Sequence, residues 1–135
     1  GSASDTDAIS IASTGAVTFS QNITLSGATN TITAHNTPKW NSTAQSTNFT
    51  ASAGNQYFID TSGGAFTLTL PSTANIGDEI RVVDGVGSFD TNNLTIARNG
   101  HKIQRDASDL TVTTEGAAFA LVYFNSTNGW LLKER

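Results

Sequence analysis

The sequence predicts an all-β protein, in which a short β shaft shared by three copies of the chain precedes an antiparallel, jelly-roll-like β-sandwich. Three observations predict this class. Short segments alternate apolar and polar residues, Gly, Asn, Asp or Pro separates nearly every pair of them, and no stretch has the 3.6-residue apolar spacing of an amphipathic helix. The 135 residues suffice for one domain of ordinary size with a short appendage.

Residues 3–34 are predicted to form the shaft. Apolar and polar residues alternate in three short runs, at 9–11, 17–19 and 23–25. Strands this short have no second layer to pack against within one chain. Three copies wound about a common axis would bury the apolar side chains and leave Thr and Ser outside, so we expect a homotrimer. The alternative interpretation is a disordered N-terminal extension.

Residues 35–56 lose the alternation, contain Pro38 and Gly54, and are predicted to be a linker or junction. Trp40 stands out in this polar segment. Because an isolated exposed indole is unfavourable, we expect Trp40 to pack at a junction or subunit contact. A role in stacking against a ligand is the alternative.

Residues 57–135 are predicted to form the sandwich, called the knob here. Its strand signals recur every ten to fifteen residues with turn residues between them, the pattern of an antiparallel sandwich or barrel. The seven predicted strands are 57–59, 65–70, 79–83, 94–96, 110–112, 118–123 and 129–132.

The acidic residues of the knob fall at predicted turns. Asp60 with Gly63 and Gly64 predicts a tight hairpin between two strands. Asp84, Asp90 and Asn92 are hard oxygen donors and candidate calcium ligands, but their spacing does not match an EF-hand loop. We therefore predict that Asp60, Asp78 and Asp84 are turn carboxylates that accept backbone amides, with no bound metal and no cofactor.

Catalytic and receptor-binding residues are weakly indicated. The only histidines are His35, in the linker, and His101, in a polar turn, and the chain has no Cys. This inventory supplies neither a nucleophile relay nor a three-ligand zinc site, and nothing selects one carboxylate pair among the eleven acids. The protein is predicted not to be an enzyme. Trp40, His101 and Asn125 are the candidates for contact with a receptor.

Charge and hydropathy exclude two classes of partner. The net charge is -4 and the seven Lys and Arg residues are scattered, which argues against nucleic acid. No apolar run approaches the ~18 residues that span a bilayer, so no membrane insertion is expected.

Residues 1–2, Gly-Ser, are typical of the remnant of a cleaved expression tag, and the absence of Met indicates a fragment of a longer protein.

Two parts of the chain carry a family resemblance. Residues 56–104 contain YFIDTS, a strand ending in LP, GDEI and NNLTI, and residues 119–130 contain ALVYFNSTNGW. Together they resemble the C-terminal domain of tail-fibre and appendage proteins of tailed bacteriophages, with similar chains in phages of marine bacteria and cyanobacteria. Residues 13–27 are similar to the repeated shaft segments of such fibres.

The resemblance implies a homotrimeric fibre with a shaft and a knob on the virion exterior. It implies contact with other virion proteins and with a bacterial surface glycan or protein, and hence a part in host attachment. A carbohydrate-binding or glycan-depolymerising module is the first alternative, and a purely architectural spacer is the second.

Overall fold

The computed structural model describes residues 39–134, and the predicted shaft, residues 3–34, lies outside this range. The described residues form nine strands and no helix. The strands are β1 (Lys39–Trp40), β2 (Phe49–Thr50), β3 (Asn55–Ile59), β4 (Phe66–Thr69), β5 (Glu79–Asp84), β6 (Leu94–Ala97), β7 (Leu110–Val112), β8 (Ala118–Asn125) and β9 (Gly129–Glu134). The all-β prediction is confirmed, and within residues 39–134 no helix exists that could cross a membrane.

The strands form two sheets. One has five strands in the order β1-β3-β5-β8-β9, and the other has four in the order β2-β4-β6-β7. From β1 to β6 the chain alternates between the sheets, so each odd strand joins the five-stranded sheet and each even strand joins the four-stranded one. The first six strands thus make three successive coils, and β7, β8 and β9 then close the structure.

The predicted antiparallel, jelly-roll-like arrangement is wrong, because both sheets are mixed. β1, β3 and β5 are mutually parallel, as are β2, β4 and β6. Among the described strands, the antiparallel pairs are β5 with β8, β6 with β7, and β8 with β9. The reason is the alternation between sheets: a chain that returns to the same sheet after each coil lays its strands in the same direction.

The predicted hairpin at Gly63 and Gly64 is wrong for the same reason. Residues 60–65 connect β3 to β4, which lie in different sheets. Gly64 has a φ of 139°, so a glycine is required there, but in a crossing between layers rather than between paired strands.

All seven strands predicted within residues 57–135 are present, with ends shifted by two residues or fewer. β1 and β2 were not predicted. Both strands lie within residues 39–56, and each has two residues. In β1, Lys39 pairs with Asn55 and Trp40 with Gln56; in β2, Phe49 pairs with Leu68 and Thr50 with Thr69.

The core fills the space between the two sheets. Along β4, β5 and β6 every second residue is buried, which gives the period of two expected when one face of a strand packs inward. The fully buried side chains include Ile59, Leu68, Ile80, Val82, Leu94, Ile96, Leu121 and Trp130. Burial of these side chains, at about 1.5–3 kcal/mol each, is the main favourable term for this domain.

Candidate functional site

The loop that follows β5 is built around the carboxylate of Asp84, which is 7% exposed. Its Oδ1 accepts the backbone N–H groups of Val86 (3.4 Å), Gly87 (2.9 Å) and Ser88 (3.2 Å). Its Oδ2 accepts those of Phe89 (3.2 Å) and Gly116 (3.0 Å). Asp84 therefore joins the β5–β6 loop to the turn before β8.

The hydrogen bonds hold Asp84 in its ionised form. Burial is the largest single influence and raises the pKa of Asp84, but the amides of Gly116, Phe89 and Ser88 lower it. The net pKa lies below the usual range for aspartate. Both oxygens are directed at N–H donors, and such donors compete with a cation for the same lone pairs.

The other two candidate calcium ligands have separate partners. The Oδ1 of exposed Asp90 accepts the hydroxyl of Thr91 at 3.2 Å, and the backbone N–H of Asn92 donates to the Ser88 carbonyl at 2.8 Å. In the part of the chain that the structure describes, no three His, Cys, Asp or Glu side chains are grouped to hold a metal ion. The acidic loop is arranged for backbone capping.

The outer face of the five-stranded sheet carries an exposed aromatic pair. Trp40 on β1 and Phe58 on β3 stack with their ring centroids 4.3 Å apart and their planes 11° from parallel. Their exposed fractions are 45% and 43%. Trp40 lies opposite Gln56 in the register, which places its side chain on the same face as Phe58.

An ion-pair network lies on the same outer face. The carboxylate of Glu79 accepts hydrogen bonds from two cations. Nε of Arg81 donates to Oε1, and Nζ of Lys133 donates to Oε2 at 3.1 Å. Partial burial, the largest influence, raises the pKa of Glu79, but Lys133 and Arg81 lower it, and the net pKa lies below its usual value. The carboxylate of Glu79 thus lies between two cations.

A small cleft opens between the two sheets where β7 faces β8 and β9. Its volume is about 290 Å³, and Leu110, Val112, Phe119 and Leu132 contribute to its walls. The rest of its lining is Ala and Thr. The lining contains no carboxylate, imidazole or cation, so the cleft has no group for acid–base chemistry.

The structure separates the three receptor-contact candidates. Trp40 contacts Phe58, whereas the half-buried ring of His101 packs edge-on against Tyr123 at 5.1 Å and its Nε2 lies 3.1 Å from the Ser72 carbonyl oxygen. Asn125 accepts the backbone N–H of Asn128 at 2.8 Å and caps the β8–β9 turn. The packing of His101 against Tyr123 was not predicted from the sequence.

A family model described as the N-terminal part of bacteriophage T4 gp9/10-like proteins matches residues 3–130. The chain belongs to this family. It is a phage structural family, which agrees with the resemblance to tail appendages found in the sequence. The resemblance was to a C-terminal domain, whereas the matching family model describes an N-terminal one. A search of curated proteins found no match.

Two further turns of this gp9/10-like chain use carboxylates as predicted. The Oδ1 of Asp60 accepts the backbone N–H of Ser62 at 2.9 Å and its hydroxyl at 2.6 Å. Both bonds lower the pKa of Asp60, and the bond from the Ser62 hydroxyl has the larger effect. The Oδ2 of Asp78 accepts the backbone N–H of Asn75 at 2.8 Å. The prediction that these residues hold turns is confirmed.

Replacing Asp78 with Ala is expected to lower the free energy of unfolding by about 1 kcal/mol, because the amide of Asn75 loses its acceptor. Urea denaturation monitored by tryptophan fluorescence would measure the change. Asp90→Ala is the matched control, since exposed Asp90 accepts only a hydroxyl, and we expect it to change stability by less than ~0.5 kcal/mol. Equal losses in the two variants would contradict the assigned role of Asp78.

Proposed function

We propose that this chain is a structural module of a tail-fibre type virion appendage, that it assembles as a homotrimer on the virion exterior, and that it contributes to attachment to the host surface. The observation that carries the proposal is the match of the T4 gp9/10-like family model to residues 3–130. Other virion proteins are its expected neighbours.

The domain organisation is part of the proposal. Residues 3–34 would form the shaft shared by three copies, residues 35–56 the junction, and residues 57–135 the C-terminal knob of a fibre of the kind found in phages of marine bacteria and cyanobacteria. The period-two apolar pattern of 9–25 supports the shaft, because such short strands need partners from other copies.

The chemistry of the knob supports an adhesive or architectural role over catalysis. The most buried carboxylate of the described residues, Asp84, is engaged by five backbone amides, and the ring of His101 packs against Tyr123 rather than facing a nucleophile. His101 and Asn125 remain the proposed residues for contact with a bacterial glycan or protein.

Light scattering on the full chain is expected to return about three times 14.1 kDa, because the shaft segment cannot bury its apolar face alone. A mass of one chain at micromolar concentration would overturn the trimer.

Incubating an array of bacterial surface glycans with the purified protein tests attachment: retention on a defined glycan without its cleavage supports adhesion. Cleavage of the glycan would instead establish a depolymerising enzyme.

A further inference from the structure

The two sheets present different outer faces. The four-stranded sheet turns Thr outward from every strand, at Thr50, Thr67, Thr69, Thr95 and Thr111. On the five-stranded sheet the outward positions include six apolar side chains with exposed surface, which we call the apolar face: Trp40, Phe58, Val83, Ala118, Val122 and Leu131. A hydroxyl-bearing face suits water, whereas the apolar face does not.

The sequence of β8 independently indicates that the outer face of the five-stranded sheet is covered. Residues 118–124 read AFALVYF, an unbroken apolar run, with Phe119, Leu121 and Tyr123 buried in the core and the alternate residues directed outward. Strands that are covered on both faces read as continuous apolar runs, and those covered on one face alternate. β4 (FTLT) and β6 (LTIA) alternate. The residues of β8 are therefore those of a strand covered on both sides.

The large exposed side chains support the same interpretation. Trp40 and Phe58 are nearly half exposed, although each is held in one orientation by the stack with the other. An ordered aromatic pair that continues into aliphatic side chains forms the kind of exposed apolar patch that marks a protein contact.

We propose that the apolar face is the contact between copies of this chain in the knob. This inference rests on the proposed trimer. β1, at the edge of the five-stranded sheet, follows the predicted shared segment 3–34 after only residues 35–38. In the sequence, β1 thus follows almost directly the segment that three copies are proposed to share.

A glycan is a poorer occupant of the same surface. Val83, Ala118, Val122 and Leu131 have no side-chain donor or acceptor, and a sugar covered by them would lose hydrogen bonds between its hydroxyls and water. A second apolar protein surface loses no such bonds. The aliphatic part of the face thus favours another copy of the chain.

Spin labels on single cysteines test the proposal directly, since the chain has no Cys of its own. Phe58→Cys places a label on the apolar face, and Thr111→Cys places the matched control on the opposite outer face. Because each chain then carries one label, any dipolar coupling arises between copies. Two packed sheets lie about 10 Å apart, so we expect the distance between labels at 58 to be shorter than that at 111 by more than about 10 Å.

Each outcome decides a separate question. A three-chain mass with distances at 58 equal to or longer than those at 111 would overturn the inference and leave the trimer intact. A one-chain mass of the unsubstituted chain would overturn the proposed trimer itself. If a glycan bound the full chain and lost affinity on Phe58→Cys but not on Thr111→Cys, the face would be a sugar site. Val83→Cys repeats the measurement should the loss of Phe58 impair folding.

Discussion

Replacing Gly129 with Ala is expected to lower the free energy of unfolding by about 4 kcal/mol or more, enough to threaten the fold of this domain. Gly129 has a φ of 73°, a conformation that L residues rarely adopt. An added Cβ would also overlap the carbonyl group of Lys102 and lie 2.7 Å from its Cβ. Backbone atoms cannot rotate away, so residues 102–106 would have to shift.

The shift would break a set of hydrogen bonds at the edge of β9. The N–H of Trp130 donates to the Lys102 carbonyl at 2.8 Å, and the N–H of Gln104 donates to the Trp130 carbonyl at 2.8 Å. Segment 102–106 therefore covers the edge of β9 next to the buried indole of Trp130. Urea and thermal denaturation monitored by tryptophan fluorescence would detect both the loss of stability and the exposure of the indole.

Gly100→Ala is the control that separates backbone strain from overlap. Gly100 has a φ of 89°, but nothing lies within 4 Å of an added Cβ. We expect it to cost about 1 kcal/mol, the strain of a left-handed non-glycine residue. Equal losses at 100 and 129 would mean that Lys102 does not pack against Gly129 as described.

The strands could be predicted because their information is local. Alternation in segments such as FTLT and EIRVV depends only on which neighbours face the core, and each of the seven predicted strands of the knob is present. β1 and β2 escaped prediction because a two-residue strand shows no period. Their pairing depends on Asn55–Gln56 and on Leu68–Thr69, which are distant in the sequence.

The directions of the strands could not be predicted, because turn residues do not record which layer comes next. The segment DTSGGA suits a hairpin and a crossing between sheets equally well, since both need a left-handed glycine. Distance along the sequence also decides which contacts of the candidate site could be predicted. Asp60 caps an amide two residues away and was predicted, whereas the bond from Gly116 to Asp84 joins residues 32 positions apart and was not.

Replacing Asp84 with Ala is expected to lower the free energy of unfolding by about 3 kcal/mol, because five backbone amides lose their acceptor at once. Some of these amides can recover a bond to water, since Val86 is half exposed, but the amide of buried Phe89 cannot. The expected loss therefore exceeds that of Asp78→Ala, where one exposed amide is involved. Urea denaturation of the two variants would measure the difference.

Asp84→Asn separates charge from shape. The Asn side chain keeps one acceptor oxygen of the same size, but its NH₂ group must then face N–H donors such as Gly116 or Gly87. We expect a loss of stability smaller than that of Asp84→Ala. Recovery of full stability in Asp84→Asn would show that the negative charge contributes nothing.

The pH dependence follows from the lowered pKa of Asp84. Because the folded pKa lies below the ordinary value of 3.8, the ionised carboxylate contributes its stability fully above that value and loses it as the pH falls through the folded pKa. The wild-type chain is thus expected to lose stability more steeply than Asp84→Asn as the pH falls below about 4. Asp60 and Glu79 also have lowered pKa values and titrate in both proteins, so the difference between the two curves isolates Asp84. Parallel curves would contradict the ionised, amide-bound carboxylate.

Melting curves with and without a chelator test for a calcium site at Asp84, Asp90 and Asn92. If calcium were bound there, the protein would lose stability on chelation, whereas a carboxylate bound to five amides leaves the melting temperature unchanged.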